Sequence, residues 1–371
     1  MPRGVRRPVP AETGLAFRVT RAKLRVIPPM ITSNLRRLAG LAGVMLLASI
    51  ASAAAPSAAG PFAGRWALNL PNGAAGWLEV ADRGNWLDGA LLWGGGSVLP
   101  AAHVHVADGV LTLTRVRDVE RKDAAGKVVR RQQLTETVTA RLEGDLLRGT
   151  RVVPRPGGNG ADRSDFSGRR IPPLPPRPDL AKVRFGEPVA LFTGRDLSGW
   201  RVKEENLRNA WSVEAGVLVN RPPTHAPGTP AVRTANLRTD REFEDFNLKL
   251  EVNVPKGSNS GVYLRGIYEI QVMDSFGKAL DSHNMGAVYS RITPSVAAEK
   301  PAGEWQTLDI TLIDRHATVV LNGRVIIDNQ PILGCTGGAM WSDESRPGPI
   351  YLQGDHGAVS YRNLVLRPVV K

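Results

Sequence analysis

The 371-residue sequence contains a single cysteine, Cys335. A lone thiol excludes an internal disulfide framework and any zinc site built on paired cysteines. No Gly-rich phosphate loop, helix-turn-helix or metal-ligand spacing occurs, so neither a nucleotide cofactor nor a nucleic-acid partner is expected. No helical periodicity of useful length follows residue 56. Acids are scarce at the front: residues 1–55 hold nine basic residues and one acid, Glu12, against 48 Lys+Arg and 35 Asp+Glu in the whole chain. That leaves 39 basic and 34 acidic residues behind it. Eight of the thirteen net positive charges therefore belong to the leading segment, and the remainder is no polyanion-binding surface.

The leading segment has the parts of a secretory signal. Arg36 and Arg37 precede an uncharged apolar run, Leu38 to Ile50. Ala51-Ser52-Ala53 and Ala53-Ala54-Ala55 offer small-x-small cleavage sites. The run is short of the roughly 20 residues a membrane span needs, so no stable span is expected. Met30 serves as a start as well as Met1. Residues 1–55 are set aside as upstream extension and signal peptide, cleaved near 53–55. The expected location is periplasmic or extracellular, with Cys335 buried and inert.

What the chain does have is short alternating runs cut by Gly, Pro, Asn and Asp every 8–12 residues, the spacing of an all-β sandwich or barrel. The strongest is Thr318 to Ile327, two β-branched runs flanking Asn322-Gly323, which suits a type I′ turn. Ile171 to Pro178 has five prolines in eight residues and reads as an extended linker. The expected organisation is a β-rich N-terminal domain over 56–170, a linker over 171–182 and a second β domain over 183–371. In the first, Trp66, Trp77, Trp86 and Trp93 fall within 28 residues. They fill a small core on one reading and stack on sugar faces on another. The charged stretch Arg115 to Arg131 reads as a solvated hairpin with Ala124-Ala125-Gly126 at its tip.

The second domain carries a series of motifs: Leu191-Phe192-Thr193-Gly194-Arg195-Asp196-Leu197-Ser198-Gly199-Trp200, Asn259-Ser260-Gly261-Val262-Tyr263-Leu264-Arg265-Gly266, Tyr268-Glu269-Ile270-Gln271-Val272-Met273-Asp274, Gly286-Ala287-Val288-Tyr289, and Tyr351-Leu352-Gln353-Gly354-Asp355-His356-Gly357. In this order they resemble the 3-keto-disaccharide hydrolase family over residues 185–371. The resemblance implies a concanavalin A-like jelly roll, a sugar site on one sheet face and cleavage of glycosides oxidised at C3. One departure is Gly354, an extra residue between Gln353 and the Asp-His-Gly run, which leaves the reach of His356 open.

Strand alternation sorts these residues independently. Val262, Leu264, Ile270, Val272, Ile350, Leu352, Val359 and Tyr361 turn inward. Tyr263, Arg265, Glu269, Gln271, Tyr289, Gln353 and Arg362 then share the other face, with His356 at its rim. Planar, bidentate donors beside Tyr suit sugar hydroxyls and carbonyls. Gln271 stands where a retaining glycosidase strand needs a carboxylate, so an ordinary two-carboxylate mechanism is incomplete. A 3-keto sugar needs one base for the C2 proton, a donor to the enolate oxygen and an acid for the leaving group. Glu269 or His356 is the candidate base, Arg265 or Arg362 the enolate donor, and Tyr263 or Tyr289 the acid. Arg265, Gln271, Tyr289, Gln353 and Arg362 are candidate substrate-binding residues. Asp274, Asp281 and His283 are the candidates for a divalent cation, without a ligand spacing that selects them. The expected partner is a small-molecule or oligosaccharide substrate. A non-catalytic glycan-binding module is the alternative.

Overall fold

The alternating runs become strands in the computed structural model of the protein, which describes residues 60–223 and 232–370. The expected leader and its cleavage sites lie outside the described residues. Twenty-two strands and one 3-10 turn, Leu180–Lys182, are present, with no α-helix among the described residues. All of them belong to one unit, Ala54–Lys371.

Eight strands close into a barrel. Ala75–Asp82, Gly64–Asn69, Ala161–Arg170, Leu146–Pro154, Val128–Glu143, Val110–Lys122, His103–Ala107 and Leu87–Trp93 follow one another around it, and the last pairs back with the first. Closure removes the open edges that would otherwise recruit other strands. Trp66, Leu68, Leu78, Leu91, Leu111, Leu113 and Leu147 fill the interior. The tryptophans divide. Trp66 is buried and donates to the Phe62 carbonyl at 2.9 Å. Trp93 meets Phe166 edge-to-face at 5.6 Å, and Trp86 is exposed. Trp77 is buried outside the barrel, under the Arg291 guanidinium 4.0 Å from its ring. The charged hairpin forms as expected, with its tip at Asp123 to Gly126.

From Val189 onward two sheets stack. The larger runs Trp211–Glu214, Val217–Asn220, Val359–Pro368, Phe246–Asn253, Trp305–Ile313, His316–Leu321, Arg324–Pro331, with Val189–Ala190 added beside Val359–Pro368. The smaller has five strands: Trp200–Val202, Leu237–Thr239, Tyr351–Leu352, Asn259–Leu264, Tyr268–Met273. Every neighbouring pair is antiparallel. Asn322 and Gly323 turn with φ of 51° and 80°, both in the left-handed region a type I′ turn demands. The eight positions expected to face inward are all buried. Together with Leu248, Leu250, Val252, Leu308 and Ile310 of the larger sheet they make the sandwich core.

That core does not stop at the sandwich. Ala75, Trp77 and Leu92 from the outer side of the barrel, and Ile171 just after it, belong to the same buried apolar cluster. The prolines that follow lie along the sandwich, where the Pro172 and Pro173 carbonyls accept from Arg315 and the Pro178 carbonyl accepts from Asn329. Cys335 is buried and free, and burial pushes its thiol up to about 12.

Candidate active site

The outward face of the five-stranded sheet holds a row set by strand register. Glu269 lies opposite Tyr263, Tyr263 opposite Tyr351, and Tyr351 opposite Arg238. Directly opposed side chains on an antiparallel pair stand within contact distance. Tyr263 Oη accordingly stands 2.9 Å from Glu269 Oε2, and its ring stacks on Tyr351 at 4.2 Å. Two residues away, Gly261 faces Gln271, and its carbonyl accepts from the Gln353 amide at 2.9 Å. A Cβ on Gly261 would stand 2.3 Å from Glu269 Oε1, so the missing side chain is what lets the carboxyl lie back over the sheet.

This face is roofed rather than solvated. Tyr263, Glu269, Tyr351 and Gln353 are all buried, Glu269 to 3% exposure. Above them lies a cavity of about 330 Å³, within the size range of small-ligand sites. Glu269, Tyr263, Tyr289, Gln353 and His356 line it, as do Lys203, Glu204, Asn236, Asn259 and Tyr351. Asn259 and Gln353 each keep a buried amide oxygen with no partner, and buried acceptors are rarely left so.

Burial pushes the Glu269 carboxyl up to about 8, against the opposing pull of the Tyr263 hydrogen bond and of His356. The hydrogen bonding agrees with a neutral carboxyl. Tyr263 Oη lies 2.9 Å from Glu269 Oε2 and 2.7 Å from the Gly337 carbonyl, yet it has one proton. If that proton goes to the carbonyl, which can only accept, a protonated Glu269 must donate to Tyr263. His356 Nδ1 pairs with Asp355 Oδ1 at 2.7 Å. That hydrogen bond raises the imidazole above its ordinary value. Burial works to raise Asp355 too, but the His356 hydrogen bond and charge outweigh it and hold the carboxyl low. One cavity thus joins a buried, protonated carboxyl to an imidazole fixed by its own carboxylate.

The extra glycine explains how His356 reaches the site. Gly354 packs where a Cβ would stand 2.5 Å from the Ala235 carbonyl. Its N–H donates to Asn236 Oδ1 at 2.8 Å, and its carbonyl accepts from Asn220 and Thr234. Gly354 is pinned, and the next two side chains are presented to the cavity.

Four expectations are corrected. Arg265 does not join the Glu269 face: its strand ends at Leu264, and φ of 55° at Arg265 breaks the alternation. Its guanidinium is committed to the Glu344 and Arg346 carbonyls at 2.5–3.1 Å and lines a separate cavity. Arg362 does face outward, but from the larger sheet, where it pairs with Glu251 at 2.6 Å and covers Trp305. Alternation fixes a face and not the sheet that bears it. Gln271 is buried two residues from Glu269 but does not line the cavity; its amide oxygen accepts from the Val272 N–H at 3.2 Å. The candidate cation ligands do not converge either. Asp274 accepts from the Gly257 N–H, Asp281 pairs with His283, and no group of three His, Cys, Asp or Glu among the described residues could hold a metal.

Several lining residues escaped the sequence reading. Lys203 and Glu204 pair at 2.5 Å, and Glu204 also accepts from Asn236. They follow Trp200–Val202, too short a strand for alternation to be visible. Arg233 lines the mouth. Tyr351 alternates with Ile350 and Leu352, and its register with Tyr263 reveals its place. Gly95 and Gly96 come from the barrel, which no motif connected to the site.

Residues 187–367 match the family described as a 3-keto-alpha-glucoside-1,2-lyase-like domain. No curated protein matches the chain. Among solved structures, one from Parabacteroides distasonis, named as a candidate glycosyl hydrolase, is 27% identical over 53% of this chain and 93% of its own, with a TM-score of 0.40. Another of the same description and organism is 20% identical over 49% and 94%, with a TM-score of 0.39. A carbohydrate-binding module of Bacillus subtilis is 11% identical over 45% and 93%, with a TM-score of 0.30.

Proposed function

We propose that this protein is a carbohydrate-active enzyme that cleaves glycosides whose sugar carries a ketone at C3, a reading supported by the match of residues 187–367 to the 3-keto-alpha-glucoside-1,2-lyase-like family. The observation that carries the reading is the cavity itself: a carboxyl held near 8 and an Asp355-fixed imidazole open into the same space. A cavity group strongly shifted by burial, beside a second titratable group held by a specific charge partner, is a candidate acid and base pair.

The C3 ketone acidifies the C2 proton. With Asp355 holding Nδ1–H, His356 presents Nε2 as the base that takes it. The enolate pair then forms the C1–C2 double bond and breaks the C1–O bond. The leaving oxygen takes its proton from Glu269, with Tyr263 orienting that carboxyl. Water adds at C1 and gives a proton to the Glu269 carboxylate, while His356 returns its own to C2, so both groups recover their starting states. Lys203 and Arg233 are the cations lining the cavity and the candidate donors to the enolate oxygen. This division of labour puts the base on His356 and the acid on Glu269.

Release of free sugar from a 3-keto-disaccharide is the direct test. Turnover should fall at least 100-fold in His356→Ala and in Glu269→Gln. Glycan binding without any turnover would favour a non-catalytic module instead. The expected leader places the enzyme in the periplasm or outside the cell. N-terminal sequencing of the exported protein should find a start near residues 53–55.

A further inference from the structure

The matched family domain begins at residue 187, yet two residues lining the cavity, Gly95 and Gly96, belong to the barrel. They sit in the turn that follows Leu87–Trp93. This turn is fastened to the sandwich at several points, all beside the Glu269 end of the row. The Gly94 carbonyl accepts from the Gly338 N–H at 3.2 Å, next to the Gly337 carbonyl that Tyr263 reaches. Ser97 Oγ bonds His283 Nε2 at 2.8 Å, and the Val98 N–H donates to Ser290 Oγ at 2.9 Å. His283 in turn stands edge-on to Tyr289 at 4.8 Å. The approach is so close that a Cβ on Gly337 would lie 2.1 Å from the Gly96 carbonyl. Behind the turn, Trp77 and Leu92 are locked into the sandwich core.

A wall without side chains, held this tightly, fixes how far a substrate can extend. From the opposite edge, near Lys203 and Glu204, the row leads to Glu269 and ends against the barrel. We propose that the Gly94–Ser97 turn is the end wall of the sugar site and the determinant of substrate length. The enzyme would then accept a 3-keto sugar only as the terminal ring of a short glycoside, never as an internal unit. This rests on the function proposed above and assigns the barrel a role in it.

Gly95 gives a clean test. Its φ lies outside the left-handed region, and a Cβ there meets nothing within 4 Å. A side chain can be placed on it without backbone strain. Kinetics would be measured on a 3-keto-disaccharide oxidised in its terminal ring and on a trisaccharide oxidised in its internal ring. Wild type should prefer the first at least 100-fold in kcat/KM. Gly95→Trp should raise KM for it tenfold or more, while its circular dichroism spectrum and melting temperature stay those of wild type, which shows that the turn still folds. Equal kcat/KM on the two sugars, or an unchanged KM in Gly95→Trp, overturns the end wall and leaves the proposed function standing. An inactive wild type overturns both.

Discussion

Glu269 should make the protein less stable as it makes it active, and the cost can be worked out. Its carboxyl titrates near 8 in the folded protein against an ordinary value of 4.5. Because the folded value is the higher one, the stabilisation is complete below about 4.5 and is lost as pH rises through 8. A separation of three to four pH units, at about 1.4 kcal/mol each, amounts to roughly 5 kcal/mol. Glu269→Gln keeps the shape and removes the titration. Its stability relative to wild type should therefore climb between pH 5 and pH 9 by several kcal/mol. At about 2 °C per kcal/mol, the low end of the scale for large domains, the melting curves should separate by on the order of 10 °C at pH 9. Thermal unfolding followed by circular dichroism at half-unit pH steps measures this. Comparing two proteins that differ at one side chain cancels the other titrating groups. Curves that stay parallel from pH 5 to pH 9 would falsify the protonated, buried state of Glu269, and with it the assignment as acid.

The pH dependence of kcat/KM on a 3-keto-disaccharide should be bell-shaped, with an alkaline limb near 8 from Glu269 and an acid limb above the ordinary imidazole value from His356. Asp355→Asn should move the acid limb down, since the hydrogen bond that raises His356 is weakened; an unmoved limb argues against His356 as the base. Gly261→Ala drives a methyl into the Glu269 carboxyl and should lower both turnover and stability, the latter by about 1–3 kcal/mol in chemical denaturation. Arg362→Ala breaks a partly exposed pair on the other sheet and should change stability by no more than about 1 kcal/mol and turnover by less than twofold in the same assays.

The parts of the site legible in the sequence are those governed by nearest neighbours. Tyr263 and Glu269 share a face because their strands are joined by the short turn at Arg265 and Gly266, which fixes a register that alternation can follow. Arg265 was misplaced by the same rule, applied one residue past the end of its strand. Arg362 obeyed the rule and still lay far from Glu269, because period-two patterning carries no information about which sheet a strand joins. Lys203, Asn236 and Gly95 come from elements separated by tens of residues. Their meeting depends on strand order and on barrel docking, neither of which leaves a local pattern. The tryptophans show the same limit. No local pattern separates buried Trp66 from exposed Trp86, and Trp77 packs under Arg291, more than two hundred residues away.

The apolar cluster that Ala75, Trp77, Leu92 and Ile171 share with the sandwich also bears on ancestry. Two modules joined by a tether can be lost or exchanged freely. Once one has buried its tryptophan in the other, deletion of either uncovers a greasy scar on the survivor. Fusion of this kind works as a ratchet: each apolar side chain recruited to the seam makes separation harder. The barrel would then be inherited with the sandwich as one piece, even in descendants whose sugar had changed.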